Sequence, residues 1–274
     1  MTNIGWIGVG RIGAPMAQRL LGAGVALAVH DVDDKTMLPL VQAGARPAAS
    51  AADAAQNADA ICLCVSDSEA VEEAAFGAAG AAHKMRAGSL LIDHSSTHPE
   101  VTRALAARAA TLGIAWVDAP ISGGPAAAVQ GTLAVWLGGT PADADRAQAI
   151  IGHYAKRMTY MGPSGAGQIA KSCNQAIVAN TIAIWAEMLD YAISCGLDPI
   201  AVIDSLQDSS ADSTIRRTFA KDMVRGAFPE LSTRNMTKDL KIIQDLARTN
   251  GVPVPHSETS LQRFIGGIDK RKQT

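Results

Sequence analysis

From Gln168 to Cys195 the chain has no glycine and no proline, and Ala, Ile, Val, Trp and Met recur on nearly every side. Read from Gly167 to Gly196, this stretch predicts one helix of roughly 40 Å at 1.5 Å per residue, buried on most faces. A bilayer span is the competing reading at this length. Lys171, Asn174, Gln175, Asn180, Glu187 and Asp190 are spread along the stretch, and such groups are costly in lipid, which places the helix inside a soluble protein. Lys171, Asn174 and Gln175 stand at i, i+3 and i+4, so they share one face near the helix start. A lysine there can snorkel to solvent, or it can be held inside for chemistry. The residues that precede the helix favour the second reading.

At 274 residues with a 48% hydrophobic fraction, the chain can build one large domain or two ordinary ones. A formal charge of −2 leaves no basic footprint for nucleic acid or an acidic membrane surface, so the expected partner is a small molecule. Cys62, Cys64, Cys173 and Cys195 lie in apolar runs without the spacing of a disulfide framework or metal site, and are expected to be reduced and structural. Met-Thr-Asn leads straight into an apolar run without a basic region or cleavage site, which predicts a cytoplasmic protein.

The start of the chain is more specific. Ile4 to Ile7 is apolar and ends in Gly8, Gly10 and Gly13, after which Ala14 to Leu21 reads as a helix with Pro15 in its first turn. A second apolar run, Val25 to Val29, ends at Asp31. Strand, glycine turn, helix, second strand and terminal acid in this order form a dinucleotide-binding fingerprint. Gly8 permits the tight turn, Gly10 lets backbone approach a pyrophosphate, and Gly13 lets helix and strand pack closely. The loop Gly8, Val9, Gly10, Arg11, Ile12, Gly13 is therefore the candidate cofactor cradle. Asp31 can accept from a ribose 2′-hydroxyl and repel a 2′-phosphate, with Asp33 and Asp34 deepening the negative field, so the expected cofactor is NAD.

Apolar runs Ala60 to Val65 and Ser89 to Ile92 alternate with helical patterns at Glu69 to Phe76 and Pro99 to Leu112, which predicts a parallel, doubly wound sheet of Rossmann type. Ligands lie beyond the carboxyl ends of such strands, which makes Val65 and Ser66 candidate cofactor contacts and puts Asp93 to Thr97 in the same class of position. Ser66, Ser95 and Thr97 are equally suited to capping the next helices. His94 and His98 are four apart but flank a loop with no convergent carboxylates, so no metal is expected. Ile114 to Val117 runs into Asp118-Ala119-Pro120-Ile121-Ser122-Gly123-Gly124-Pro125, where paired glycines beside a serine offer bare amides to a carboxylate, or simply make a turn. Thr132 to Leu137 and Met158 to Met161 read as further strands, separated by a helix capped near Asp143. Beyond the long helix, helices are expected from Asp198-Pro199, at Ser213 to Val224 and at Lys238 to Arg248, with no strand. The chain thus divides into a dinucleotide-binding domain, 1–163, and an all-helical substrate and dimerisation domain, 164–274, joined by the long interdomain helix.

With these motifs in order over nearly its whole length, the chain resembles the β-hydroxyacid dehydrogenase family. Gly8-Val9-Gly10-Arg11-Ile12-Gly13-Ala14-Pro15-Met16-Ala17 is similar to the family's cofactor loop, and Asp118 to Gly124 to its substrate loop. Gly165-Ala166-Gly167 with Lys171 and Asn174 is similar to its catalytic helix, and Lys238-Asp239-Leu240 to its late cofactor motif. The resemblance implies that Lys171 is the acid/base residue and Asn174 its hydrogen-bonding neighbour. It implies Ser122, Gly123 and Gly124 as the substrate carboxylate site, joined by the face of Asn174 and Gln175, and Thr97 and Lys238 as cofactor-side contacts. The implied activity interconverts a small β-hydroxy acid and its semialdehyde, in a homodimer or homotetramer. Imine reductases of the same architecture and a non-catalytic dinucleotide-binding protein are the alternatives; Lys171 speaks against the first, and Lys171 with Asn174 against the second. Two departures stand out. The sequence stops at Thr274 with a basic end, Lys270-Arg271-Lys272, sooner than members usually do, which is expected to alter one wall of the pocket. Ser232-Thr233-Arg234 is more polar than the motif suggests, which leaves open the accepted substrate substituent; Arg234 is either a partner for a second anionic group or an ordinary surface arginine.

Overall fold

The glycine turn forms as its sequence demands, and its tightness comes from contact between backbones. In the computed structural model, which describes residues 2–268, β1 (Asn3–Ile7) leads through the turn into α1 (Gly13–Gly22). A Cβ on Gly13 would stand 2.0 Å from the Gly8 carbonyl oxygen, whereas one on Gly10 would meet nothing within 4 Å. The Trp6 indole donates to that same Gly8 oxygen at 3.0 Å, fixing the turn from below.

The chain continues through β2 (Ala26–His30), α2 (Asp34–Gln42), β3 (Arg46–Pro47), α3 (Ala51–Ala55), β4 (Ala60–Leu63), α4 (Ser68–Phe76), β5 (Leu90–Asp93), α5 (Pro99–Thr111) and β6 (Ala115–Asp118). These six strands pair in parallel in the order β3-β2-β1-β4-β5-β6. The order reverses at β1, and in open α/β sheets that switch point is where ligands bind. β7 (Ile121–Ser122), α6 (Gly124–Gln130), β8 (Leu133–Gly138), α7 (Pro141–Ile151) and β9 (Ala155–Gly162) complete the nine-stranded sheet. The sheet is not wholly parallel, contrary to the expectation from the alternating runs: β8 is antiparallel to both β6 and β7. An apolar run specifies burial and not direction; β7 continues in the direction of β6, and the chain turns back between Ser122 and Leu133, through α6.

Helix starts are set by local polar groups. Asp33, Asp67, His98, Thr140 and Asp198 each accept from an amide in the first turn of the helix that follows. Ser66, Ser95 and Thr97 are not these caps. Asp67 and His98, one residue beyond each predicted serine or threonine, take the role because their side chains reach the free amides at two to three residues' distance. The region 34–55, with its short strand and two helices, carries too weak a periodicity to be read in advance.

Helix α8 (Ala166–Ser194) is 29 residues long and has the length and composition of a membrane span. The compact units of the chain divide inside it, between Lys171 and Ser172, later than the 163/164 boundary drawn from composition. In the second unit α8 is followed by α9 (Pro199–Ser205), a π-helical turn Arg216–Ala220, α10 (Lys221–Val224), α11 (Glu230–Thr249) and α12 (Pro255–Gly266). No strand occurs among its described residues, α11 starts well before Lys238, and α12 was not foreseen. Ala179, Ile182, Trp185, Ala186 and Leu189 of α8 pack with Leu240, Leu261 and Phe264 in one apolar core. Arg216, 5% exposed, bonds Asp212 and the Ile203 carbonyl, tying the π-helical turn to α9. Within one chain Ile177, Ile184, Met188 and Tyr191 of α8 are exposed, so the chain itself does not supply the burial expected on most faces of this helix. Lys270, Arg271 and Lys272 lie outside the described residues.

The start of α8 is held by the sheet. Asp118, at the end of β6 and wholly buried, accepts from the amide of Gly165 at 2.8 Å and from that of Gln168 at 3.1 Å. A Cβ on Gly167 would lie 2.8 Å from the same carboxylate. Burial raises the Asp118 pKa, and the amides of Gly165 and Gln168 oppose the rise.

Two stability outcomes follow from these contacts. Gly13→Ala should lower unfolding stability by at least ~2 kcal/mol, while Gly10→Ala stays within about 0.5 kcal/mol of the parent; equal urea midpoints would contradict the assignment of the tight contact. Asp118→Ala leaves the α8 amides without their acceptor and should cost about 3 kcal/mol. An unchanged urea midpoint for that variant would show that α8 does not depend on the carboxylate.

Candidate active site

The switch point places the predicted cofactor residues together. Val9 donates its amide to Asp31 Oδ2 at 2.8 Å, and Asp33 donates to Oδ1 at 3.1 Å, so the acid at the end of β2 closes over the glycine turn. Gly10 and Arg11 are exposed at the tip, with Ile12 partly buried behind them. After β4, the Val65 amide donates to Ser95 Oγ at 3.0 Å, and Ser66 donates to the Asp67 carboxylate at 2.7 Å. Ser95 thereby links the loops after β4 and β5. Thr97 is placed differently from what the resemblance implies. It is 2% exposed, its hydroxyl is bonded to Thr102, and its amide donates to Gln168 Oε1.

Beneath these loops lies a buried aromatic group. His94 bonds the Ala119 carbonyl through Nδ1 and the Tyr154 hydroxyl through Nε2, each at 2.8 Å. Trp6 stacks on the imidazole with ring centroids 5.8 Å apart, and Tyr154 meets both rings edge-on. Burial pushes the His94 pKa down to about 4, leaving a neutral ring that donates at Nδ1 and accepts at Nε2. His98 is elsewhere, at the start of α5. Cys62 and Cys64 lie in this region with thiols pushed well up by burial, whereas Cys173 and Cys195 on and after α8 are exposed.

Lys171 is 8% exposed and donates from Nζ to the Ile121 carbonyl at 2.8 Å. That carbonyl immediately precedes Ser122, Gly123 and Gly124. Gly123 and Gly124 have φ of 125° and 69°, conformations that keep side chains away from the loop backbone. The amine therefore sits beside a loop of glycine amides and a serine hydroxyl, a combination able to hold an anion and exchange a proton near it. Gln168, 1% exposed, gave no signal in the sequence; its amide group donates to Ser95 O and accepts from Thr97 N, so the helix carrying Lys171 also fixes the loop after β5.

One turn after Lys171, Asn174 donates to Gln175 Oε1 at 2.9 Å. Gln175 in turn donates to Asp239 Oδ2 at 2.6 Å, and Lys238 pairs with Asp239 Oδ1 at 3.2 Å. Asp239 thus joins Asn174 and Gln175 of α8 to Lys238 of α11. Its place next to Lys238 in sequence was visible, but its bond to Gln175 spans 64 positions and no local pattern announces it.

Comparison with known proteins agrees with this arrangement. Residues 3–162 match the model of the NAD binding domain of 6-phosphogluconate dehydrogenase. Residues 165–270 match that described as NAD-binding of NADP-dependent 3-hydroxyisobutyrate dehydrogenase. The mitochondrial 3-hydroxyisobutyrate dehydrogenase of Bos taurus is 34% identical over 263 residues, covering 92% of this chain and 78% of that protein. The crystal structure of 3-hydroxyisobutyrate dehydrogenase from Salmonella typhimurium superposes with a TM-score of 0.91 at 27% identity, covering 97% of this chain and 94% of that one. An imine reductase from Streptomyces aurantiacus shares the fold at a TM-score of 0.70 and 20% identity, covering 98% and 95%. Both halves of the chain are matched in order, and the chain belongs to the β-hydroxyacid dehydrogenase family of oxidoreductases that use a nicotinamide dinucleotide.

Proposed function

We propose that the protein is an NAD-dependent dehydrogenase that interconverts a small β-hydroxy acid and its semialdehyde, with Lys171 carrying the proton. The observation that supports this most directly is the buried Lys171 amine at the Ile121 carbonyl, beside Ser122-Gly123-Gly124. The glycine turn fits a dinucleotide, because nothing lies within 4 Å of the point where a Gly10 side chain would begin. Gly8 to Gly13 and Asp31 are the residues to hold it, with Val65 and Ser66 as further contacts. When bound, the cofactor supplies the hydride exchange. Asp31, flanked by Asp33 and Asp34, favours a ribose hydroxyl over a 2′-phosphate, which supports NAD over NADP.

The chain's own residues do the remaining work. Ser122 and the amides of Gly123 and Gly124 hold the substrate carboxylate, which orients the hydroxyl-bearing carbon. In oxidation the Lys171 amine takes the hydroxyl proton as hydride leaves the carbon; in reduction the ammonium returns a proton to the carbonyl oxygen as negative charge grows there. Asn174 fixes the amine or the substrate oxygen without adding charge, and Gln175 fixes Asn174. An imine reductase needs no carboxylate grip of this kind, so the glycine loop beside Lys171 favours the hydroxy acid.

The working protein is a homodimer or a homotetramer built on α8. Ile177, Ile184, Met188 and Tyr191 fall on one face of this helix and are 68%, 59%, 44% and 64% exposed. A second copy is the partner that matches an apolar face on a helix whose opposite side is already core.

Lys171→Ala should lower kcat by about 10²- to 10⁴-fold with near-normal NADH affinity in fluorescence titration, and Lys171→Arg should fail almost as badly because a guanidinium does not release its proton. Near-normal turnover in either variant removes Lys171 from the chemistry, and a preference for NADPH in the parent overturns the reading of Asp31. Light scattering at micromolar concentration should give at least a dimer, and Ile184→Asp should shift it toward monomer. A monomeric parent would refute the α8 interface.

A further inference from the structure

The side-chain amide of Gln168 closes on the loop after β5 from both ends. Its Nε2 donates to the Ser95 carbonyl at 2.8 Å and its Oε1 accepts from the Thr97 amide at 3.2 Å, so the two bonds bracket Ser96 as a residue of a parallel strand would. Gln168 is 1% exposed, and an amide buried that deeply is costly unless both its ends are bonded. An apolar side chain would fill the same space without needing partners, so packing does not account for an amide here. Nor does the anchoring of α8, because the bond to Asp118 is made by the Gln168 backbone. What the side chain adds is a grip on the loop. Through Ser95, whose Oγ accepts from the Val65 amide at 3.0 Å, the grip extends to the loop after β4.

Both loops lie on one side of the switch point, since the strands run β2-β1-β4-β5. With a ribose at Asp31 after β2 and the pyrophosphate at the turn after β1, the nicotinamide half belongs to the ends of β4 and β5. Gln168 also stands one turn before Lys171, whose amine is held at the Ile121 carbonyl. We propose that Gln168 is a positioning residue for hydride transfer: its amide fixes the shelf formed by Val65 and Ser95 to Thr97, which takes the nicotinamide half, relative to Lys171. The inference rests on the reading of Lys171 and the glycine turn given above. Gln168 itself exchanges no proton, and acts by keeping the two reacting sides in register.

The test replaces the amide by a group that pH can switch. In Gln168→Glu a neutral carboxyl donates to the Ser95 carbonyl and accepts from the Thr97 amide, as glutamine does, whereas a carboxylate has no proton for Ser95. Burial raises a carboxyl pKa, so the neutral form returns as pH falls. The ratio of variant to parent kcat, measured in the full-length protein with 3-hydroxyisobutyrate and NAD, should therefore rise about tenfold from about pH 9 to about pH 6. Gln168→Leu loses both bonds at every pH, and its ratio should be low by about 10²-fold and flat. Two measurements need no turnover. NADH affinity in fluorescence titration should weaken about tenfold in Gln168→Leu, and in Gln168→Glu at high pH but not at low pH. In the cofactor-free protein, hydrogen exchange of the peptide holding Ser95 to Thr97 should be faster in Gln168→Leu. A Gln168→Glu ratio that does not change with pH, even with a lowered urea midpoint, overturns the proposal by leaving Gln168 a merely structural role. Parent-like kcat and NADH affinity in Gln168→Leu also overturn it, and if that variant does not fold, the Gln168→Glu ratio decides. A parent that oxidises no hydroxy acid removes the dehydrogenase reading; NADH affinity in Gln168→Glu then decides separately, its loss at high pH supporting the shelf and a constant value overturning it.

Discussion

A single buried carboxylate holds the start of the helix on which the candidate chemistry stands. Asp118 ends β6 and accepts the amides of Gly165 and Gln168, so the first turn of α8 is fixed to the sheet by charge on dipole as well as by hydrogen bonds. Lys171, the residue given the proton-handling role, inherits its position from that contact. Lys171 lies one turn beyond Gln168 and reaches Ile121 just past the end of the same strand. The cost of burying the charge shows in the raised Asp118 pKa, and the amides offset it because they have no other acceptor at a helix start.

Local patterns in the sequence carried the fold where backbone constraints act over a few residues. The Gly8 to Gly13 turn, the acid at Asp31 and the long α8 were all legible, because a glycine spacing and an uninterrupted apolar run leave few alternatives. Strand direction was not legible at β8, where the reversal through the Gly123-Gly124 turn and α6 depends on how that connection runs in space. The site divided in the same way. Lys171 and the Ser122-Gly123-Gly124 loop stood out by composition, yet the contact between them joins positions 50 apart. Asp118, Gln168 and Asp239 were passed over as partners for a common reason: each acts through a bond to a distant backbone or amide group. Thr97 shows the converse, a residue suggested by resemblance whose side chain is spent on Thr102 within the core.

Charge is sorted by function in this chain, although its total is nearly neutral at −2. Carboxylates gather at the end of β2, where Asp31, Asp33 and Asp34 set the character of the cofactor turn. Cations gather on α11, with one carboxylate, Asp239, placed to orient more than to neutralise them. A nearly neutral composition is thus compatible with strongly polarised local fields, and a small ligand meets those fields and not the average.

The cysteines draw a different consequence from the exposed face of α8. Cys62 and Cys64 have thiols raised by burial and stay protonated, hence inert as nucleophiles. Cys173 and Cys195 are exposed and fall on the same helical face as Ile177, Ile184 and Tyr191, at its two ends, roughly 33 Å apart at 1.5 Å per residue. The protein thereby carries a pair of natural alkylation sites bracketing its apolar stripe, and the rate at which a thiol reagent reaches them is a measure of how much of that stripe is open to water.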